Sequence, residues 1–310
     1  MDFSSVFSLG QTALELGLIS SLTVLALFLS YSMLNVCDLS TDGCFTFGAA
    51  VGAVVAISGH PYLSIAAAMG AGMLSGLVTA VLQTRMGINS LLSGIIVNTG
   101  LYSVNIAVMG NTSLLNMNRT ETVFTKLKGA LSQTAFSSQF KVIIAFLAVA
   151  AVVVFLTFFL RTRLGLAIRA TGNNPAMVRS SSINPVMTTT VGLIISNSFT
   201  ALSGCLMAQA QKSVNIDIGS GMLTVALASL LIGNAFYSKN RIVFRAVFAV
   251  VGAIIFRVVY TLALRFNMPA FMLKLVSSVI VIIAISAPYL KSQMPMIKRR
   301  LANRRGGHNA

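Results

Sequence analysis

Asn35–Gly43 reads NVCDLSTDG; it breaks off a long apolar run, Ala13–Leu34, and leads into FTFGAAVGAVVAISG, a short small-residue segment that begins at Phe45. The pattern recurs downstream. Gln211–Gly221, QKSVNIDIGSG, ends the run Thr188–Ala208 and leads into MLTVALASLLIGNAF, Met222–Phe236. In both places an Asp and a Gly sit where an apolar helix is interrupted, and each unit is followed by two further spans. The first unit crosses from outside to inside and the second from inside to outside. Residues 1–109 therefore read as a first repeat and 188–290 as its inverted copy, the arrangement in which broken helices line a pathway near the bilayer midplane. The bland alternative is that short Gly-rich segments serve only helix packing.

The spans around these breaks are Ala13–Leu34, Tyr62–Leu82, Ile88–Met109, Val142–Leu160, Thr188–Ala208, Ile242–Leu264 and Pro269–Leu290. Each is near the ~20 residues that a membrane helix needs. With the shorter Phe45–Ser58 and Met222–Tyr237 they predict about nine segments, an all-α polytopic membrane protein with two short interrupted segments. Composition agrees, since hydrophobic residues make up 56% and charged residues 9% of the chain, with a mean hydropathy of +0.86. Such values lie outside the soluble globular range. The chain reads as one permease domain over 1–310, with an outer loop at 110–141, a connecting span and polar segment at 142–187 and a basic tail at 291–310.

A net charge of +16 raises the question of nucleic acid, but the cations lie at span ends and in the tail. That is what membrane orientation requires, so the bilayer and not a nucleic acid is the expected partner. Arg85, Arg161, Arg163, Arg169, Arg179, Lys239, Arg241, Arg245 and the tail share one face, about twice as basic as the other. That face is predicted cytoplasmic, with the N-terminus outside and the C-terminus inside. The opening residues carry no basic leader and no clear cleavage site, so no removable signal peptide is expected.

Several residue classes exclude chemistry. No G-x-x-x-x-G-K-[ST] loop occurs, so no P-loop ATPase activity and no bound cofactor are expected. Cys37, Cys44, Cys205, His60 and His308 form no metal spacing, so no metal is expected, and no nucleophile and base stand in a catalytic pattern. The six acids all lie at or near span ends, a poor supply for a proton relay.

Five residues are candidates for a substrate path: Asp38, Asp42, Asn98, Asp217 and Arg257. Asp38 and Asp42 either bind a ligand amine or cap the short helix that begins near Gly43, carboxylates being favourable at a helix N-terminus. Asp217 has the same two readings. Arg257, inside a span, either meets an anionic group of a substrate, pairs structurally with Glu15, or snorkels to the interface. Asn98, Asn105, Asn197 and Gln209 either line a path or bond helices together.

Leu160–Asn184, LRTRLGLAIRATGNNPAMVRSSSIN, is a basic, acid-free island between two spans. Its Gly-Asn-Asn-Pro break predicts two short helices meeting at a turn. Gly165–Ala176 followed by Ile183-Asn184 resembles the cytoplasmic coupling loop of binding-protein-dependent ABC importer permeases of the branched-chain amino acid and ribose permease family. Cys37–Ser40 is similar to the I-D-L-S turn of the sugar members, and Ala226–Asn234 to the A-x-A-x-x-x-I-G stretch of the second half. Asp42 and Asn234 depart from the pattern, as does the lack of the opening helix of sugar members, and the tryptophan/tyrosine branch is the nearer match. The resemblance implies a bacterial cytoplasmic-membrane importer for an amino acid, built from a second permease copy, cytoplasmic ABC ATPase subunits that bind the ATP, and an extracytoplasmic substrate-binding protein. It also implies that Gly165, Arg169, Ala170, Gly172, Asn173, Pro175 and Arg179 couple the permease to the ATPase, Gly172 and Pro175 shaping the turn.

Overall fold

The computed structural model describes residues 3–131, 139–236, 241–265, 275, 278–283 and 286. The predicted ninth span Pro269–Leu290 falls largely outside the described residues, as do Lys239 and the basic tail.

Helix α1 (Phe3–Leu27) continues as a π-helical turn, Phe28–Met33, and the chain then unwinds until α2 (Thr41–Ile57). Helices α3 (Pro61–Thr84) and α4 (Ser90–Val108) complete the first half. Pro61 at the first position of α3 and Asn89, whose side chain accepts from the Leu91 N–H, fix these starts locally. The predicted outer loop is more than a connector. It contains β1 (Leu114–Asn116) and α5 (Val123–Leu131), and β1 pairs antiparallel with β2 (Ser213–Asn215), Leu115 opposite Val214.

Helix α6 (Phe140–Phe159) leads to the island, which forms α7 (Arg163–Asn173) and α8 (Pro175–Ser180). Thr162 caps α7 and Asn174 caps α8 at its Pro175 start, so the predicted turn falls at Asn173–Pro175. Helix α9 (Pro185–Gln211) follows, with α10 (Met222–Phe236) and α11 (Ile242–Arg265) after β2. Among the described residues six helices are long and apolar enough to cross a membrane, and α2 and α10 are shorter apolar helices.

Helix α1 runs antiparallel to α9, Ser196 Oγ donating to the Ala26 carbonyl at 2.8 Å and Ser203 Oγ to that of Ile19 at 2.7 Å. The halves exchange partners around this pair: α9 packs on α2 and α3, and α1 on α10 and α11. Each short helix also packs on the long helix that follows it. Gly48 and Gly52 of α2 meet Ala201 and Cys205, while Gly72 and Gly76 of α3 meet Asn197 and Leu193, so α2 runs parallel and α3 antiparallel to α9. In the second half Gly17 meets Ile254 and Arg245 lies over the Phe28 ring, while Gly252 and Gly233 meet Ser229 and Phe248; α11 is antiparallel to α1 and to α10. Among the described residues α1 and α9, α2 and α10, and α3 and α11 are thus antiparallel pairs, while the partner expected for α4, Pro269–Leu290, lies largely outside them.

The glycines explain the tightness. A Cβ on Gly48, Gly72 or Gly204 would fall on the backbone of the facing helix. Hydrocarbon gives helices no solvent-driven reason to associate, so small residues at four-residue spacing supply contact through close approach.

Candidate functional site

The two interruptions bring the starts of α2 and α10 face to face. Asp38 lies opposite the middle of α9, where its Oδ2 accepts from Asn197 Nδ2 at 2.7 Å. Its Oδ1 takes the Ser40 N–H at 2.8 Å and the Ser40 hydroxyl at 2.6 Å. Asp38 is 1% exposed, and its carboxylate fixes the start of α2.

Asp42 caps the other half instead of its own helix. Its Oδ2 accepts from the Gly221 N–H at 2.9 Å and its Oδ1 from the Leu223 N–H at 2.7 Å, at the first turn of α10. Thr46 Oγ1 accepts from the Gly219 N–H at 3.2 Å. Gly219 must be a glycine here, because a Cβ would meet the Asp42 carbonyl; Gly221, at φ +85°, occupies the left-handed region. The positive end of α10 is thereby answered by a carboxylate from the first half of the chain.

Beside this junction lies a polar cavity of about 440 Å³, lined by Asp42, Gly43 and Thr46, by Asn98, Thr99, Tyr102, Ser103 and Asn105 of α4, and by Ile216, Asp217 and Ser220. Three of the five predicted path residues, Asp42, Asn98 and Asp217, therefore meet in one cavity. The sequence reading missed Tyr102 and Ser103; their signal was a polar stripe on a span only partly buried in its own chain. Asn197 and Gln209 are helix-bonding residues: Gln209 Nε2 donates to Ser64 Oγ at 2.7 Å and its Oε1 accepts from the Val123 N–H at 2.9 Å.

Arg257 is elsewhere, on α11 beside Gly17, with its guanidinium 5.4 Å from the Tyr260 ring centroid. The Glu15 pairing, one of the readings open for Arg257, does not form among the described residues. Glu15 bonds Lys141 of α6 at 3.5 Å, and Lys141 also donates to the Ala210 carbonyl at 3.4 Å, a tie between α1, α6 and α9.

At the opposite end of α9 from β2, the island divides into an inner and an outer side. Gly165 faces the Phe159–Leu160 backbone and Gly172 faces Met33 and Leu34, where a Cβ would collide with main chain. Gly172 therefore seats α7 against the end of α1 and does not form the turn. Thr171 and Thr188 hydroxyls lie 2.8 Å apart and tie α7 to α9. Ala170, Asn173, Pro175 and Arg179 are exposed, Arg169 is half-buried, and Leu166 and Met177 add exposed apolar surface that the sequence reading had not singled out.

The profile of a family described as branched-chain amino acid transport system / permease component matches residues 11–285. A tyrosine transport system permease protein of Clostridioides difficile (strain R20291) is 32% identical over 267 residues, 86% of each chain. The uncharacterized protein RP368 of Rickettsia prowazekii (strain Madrid E) is 30% identical over 282 residues, 89% of this chain and 96% of that one. No solved structure matches the chain significantly. With its apolar helices and paired interruptions, this multi-pass membrane protein belongs to the branched-chain amino acid transport permease family.

Proposed function

We propose that this chain is the membrane subunit of a binding-protein-dependent ABC importer for an amino acid, with aromatic amino acids the leading substrates. The observation that carries this reading is the pairing of a polar midplane cavity with a basic island built onto the end of α1. The family and the 32% identity to a tyrosine transport system permease support the substrate assignment.

Two copies of the chain face each other across α4, which carries Asn98, Tyr102 and Ser103 on its open side. Hydrocarbon cannot hydrogen-bond such groups, so a second copy and the water between the two cover them. The island is cytoplasmic. Exposed Leu166 and Met177 form the apolar centre of its ATPase contact, with Arg163 and Arg179 as its charged rim. A displacement of α7 passes through Gly172 to Met33 and Leu34, then along the unwound Asn35–Ser40 segment to Asp38. Asp42 carries it on to α10, so one push shifts both short helices and changes the cavity between them. The permease supplies no ATP site of its own; the partner ATPase binds the nucleotide.

Reconstitution tests the reading. Proteoliposomes holding the permease, its ATPase and its binding protein should take up labelled tyrosine only with ATP inside, and ATP hydrolysis should rise with liganded binding protein. Uptake by the permease alone on a sodium or proton gradient would refute it.

A further inference from the structure

Resting on the import reading, we infer that the midplane cavity recognises the ammonium end of its amino-acid substrate, with Asp217 as the charged receptor and Asp42 and Asn105 completing the acceptor set.

A cavity at the meeting point of two helix N-termini is ordinarily suited to an anion, since backbone N–H groups and the helix dipoles point into it. Here those ends are already answered. Asp42 takes the Gly221 and Leu223 N–H groups of α10, and Asp38 takes the Ser40 N–H at the start of α2. The charged groups that remain in the cavity are acceptors only, while its hydroxyls and amides serve either role. Among the described residues that line it none is basic, and two are carboxylates.

Asp217 is exposed and has no ion pair among the described residues, which makes it the available negative charge. Each oxygen of Asp42 uses one lone pair on α10 and keeps another. Asn105 gives the independent sign. It is 1% exposed, its Nδ2 is tethered to the Gly43 carbonyl at 3.2 Å, and its Oδ1 has no hydrogen-bond partner. An unmet buried acceptor is costly unless something donates to it, and the tether to Gly43 prevents the amide from turning to present its nitrogen instead. A carboxylate group would find two like charges here; an ammonium group brings three donors to a set of acceptors. Tyr102, 51% exposed at the same cavity, offers a ring face to the substrate's side chain.

The test separates the two ends of one substrate. Full-length permease in nanodiscs is titrated with tyramine, which keeps the ammonium and lacks the carboxylate, and with 3-(4-hydroxyphenyl)propionate, which has the reverse; binding is read by saturation-transfer NMR. The expected result is tyramine binding that weakens about tenfold in Asp217→Asn and returns in Asp217→Glu, with the propionate bound at least tenfold more weakly. Equal binding of both probes, or tyramine binding unchanged in Asp217→Asn at matched gel-filtration behaviour, overturns the assignment. Uptake that requires sodium in the wild type and loses that requirement in Asp217→Asn also overturns it, because the acceptors would then hold an alkali cation. A protein that imports tyrosine with ATP but shows no preference for tyramine defeats the ammonium site alone. One that prefers tyramine yet transports without an ATPase defeats the import reading alone.

Discussion

Helices α9 and α4 are both apolar enough to cross a membrane, yet 83% of the apolar window of α9 is buried within the chain and 28% of that of α4. Both carry polar side chains at span depth, and the difference lies in where those groups are satisfied. On α9, Ser196, Ser203 and Gln209 each bond a neighbouring helix, Asn197 bonds Asp38 in the unwound segment ahead of α2, and glycines of α2 and α3 close around its backbone. On α4, Asn98, Tyr102 and Ser103 turn to a cavity on the open side. The first helix is scaffold for both halves of the chain; the second lines a polar cavity and keeps an exposed face. The contrast teaches that polar residues in a span acquire meaning from burial and bonding, not from their presence.

The hardest way to break the contrast is to push α9 off its sheath. Gly204→Leu would drive a side chain into the Phe45 backbone, which cannot yield as a side chain would. Overpacking of this kind costs about 3 kcal/mol. Folded, monodisperse protein should be lost in detergent gel filtration, and a wild-type profile would show that α2 and α9 are not in close contact.

Next in size is Asp38→Ala. It removes a buried carboxylate, leaves the Ser40 N–H without its acceptor and leaves the Asn197 amide with only the Leu193 carbonyl. Orphaning buried donors costs about 2 kcal/mol, to be read as a fall in the unfolding midpoint of the purified permease. Asp38→Asn should recover part of the loss, since its amide oxygen still accepts.

Much of this was legible in the sequence, and the pattern of what was not is physical. Helix starts were written locally: Pro61, Pro175 and Pro185 open α3, α8 and α9, and Asn89, Thr162, Asn174 and Asn184 cap their helices through bonds two or three residues away. The predicted spans from Tyr62 to Leu264 match the described helices to within about four residues for the same reason, while α1 begins ten residues before the predicted Ala13. Long-range choices were not local. Nothing near Asp42 in sequence says that it caps a helix that begins 180 residues later, and the Glu15 partner proved to be Lys141, on a different helix from Arg257. Gly172 looked like a turn former beside Asn-Asn-Pro, but its lack of a side chain serves the backbone of Met33 and Leu34. The strand pair β1–β2 was hidden because three-residue strands carry too little alternation to read.

Asp42→Ala sharpens the comparison at the seam between the regions. It removes the cap from α10, a change worth about 1 kcal/mol at a helix N-terminus. The midpoint should fall by less than in Asp38→Ala, because Asp42 lines the polar cavity and Gly221 is only half-buried, so water can take the place of the lost carboxylate. If Asp42→Ala proved the more damaging, the cavity would have to be dry, and the reading of α4 as a solvated wall would fail.

The smallest effect on stability and the most telling on the contrast is expected for Ser103→Leu. Ser103 is exposed on α4, so the substitution leaves no buried partner unmet and should change the unfolding midpoint of the isolated chain by less than about 0.5 kcal/mol. Its consequence belongs to the cavity. A leucine there fills part of about 440 Å³ and replaces a hydroxyl with hydrocarbon on the wall of the proposed substrate cavity. Tyrosine uptake in proteoliposomes should drop about tenfold, as expected when an apolar group replaces a needed polar contact. A lipid-facing α4 would give the opposite pair of results: uptake untouched, and a chain made more stable in the bilayer by its added leucine.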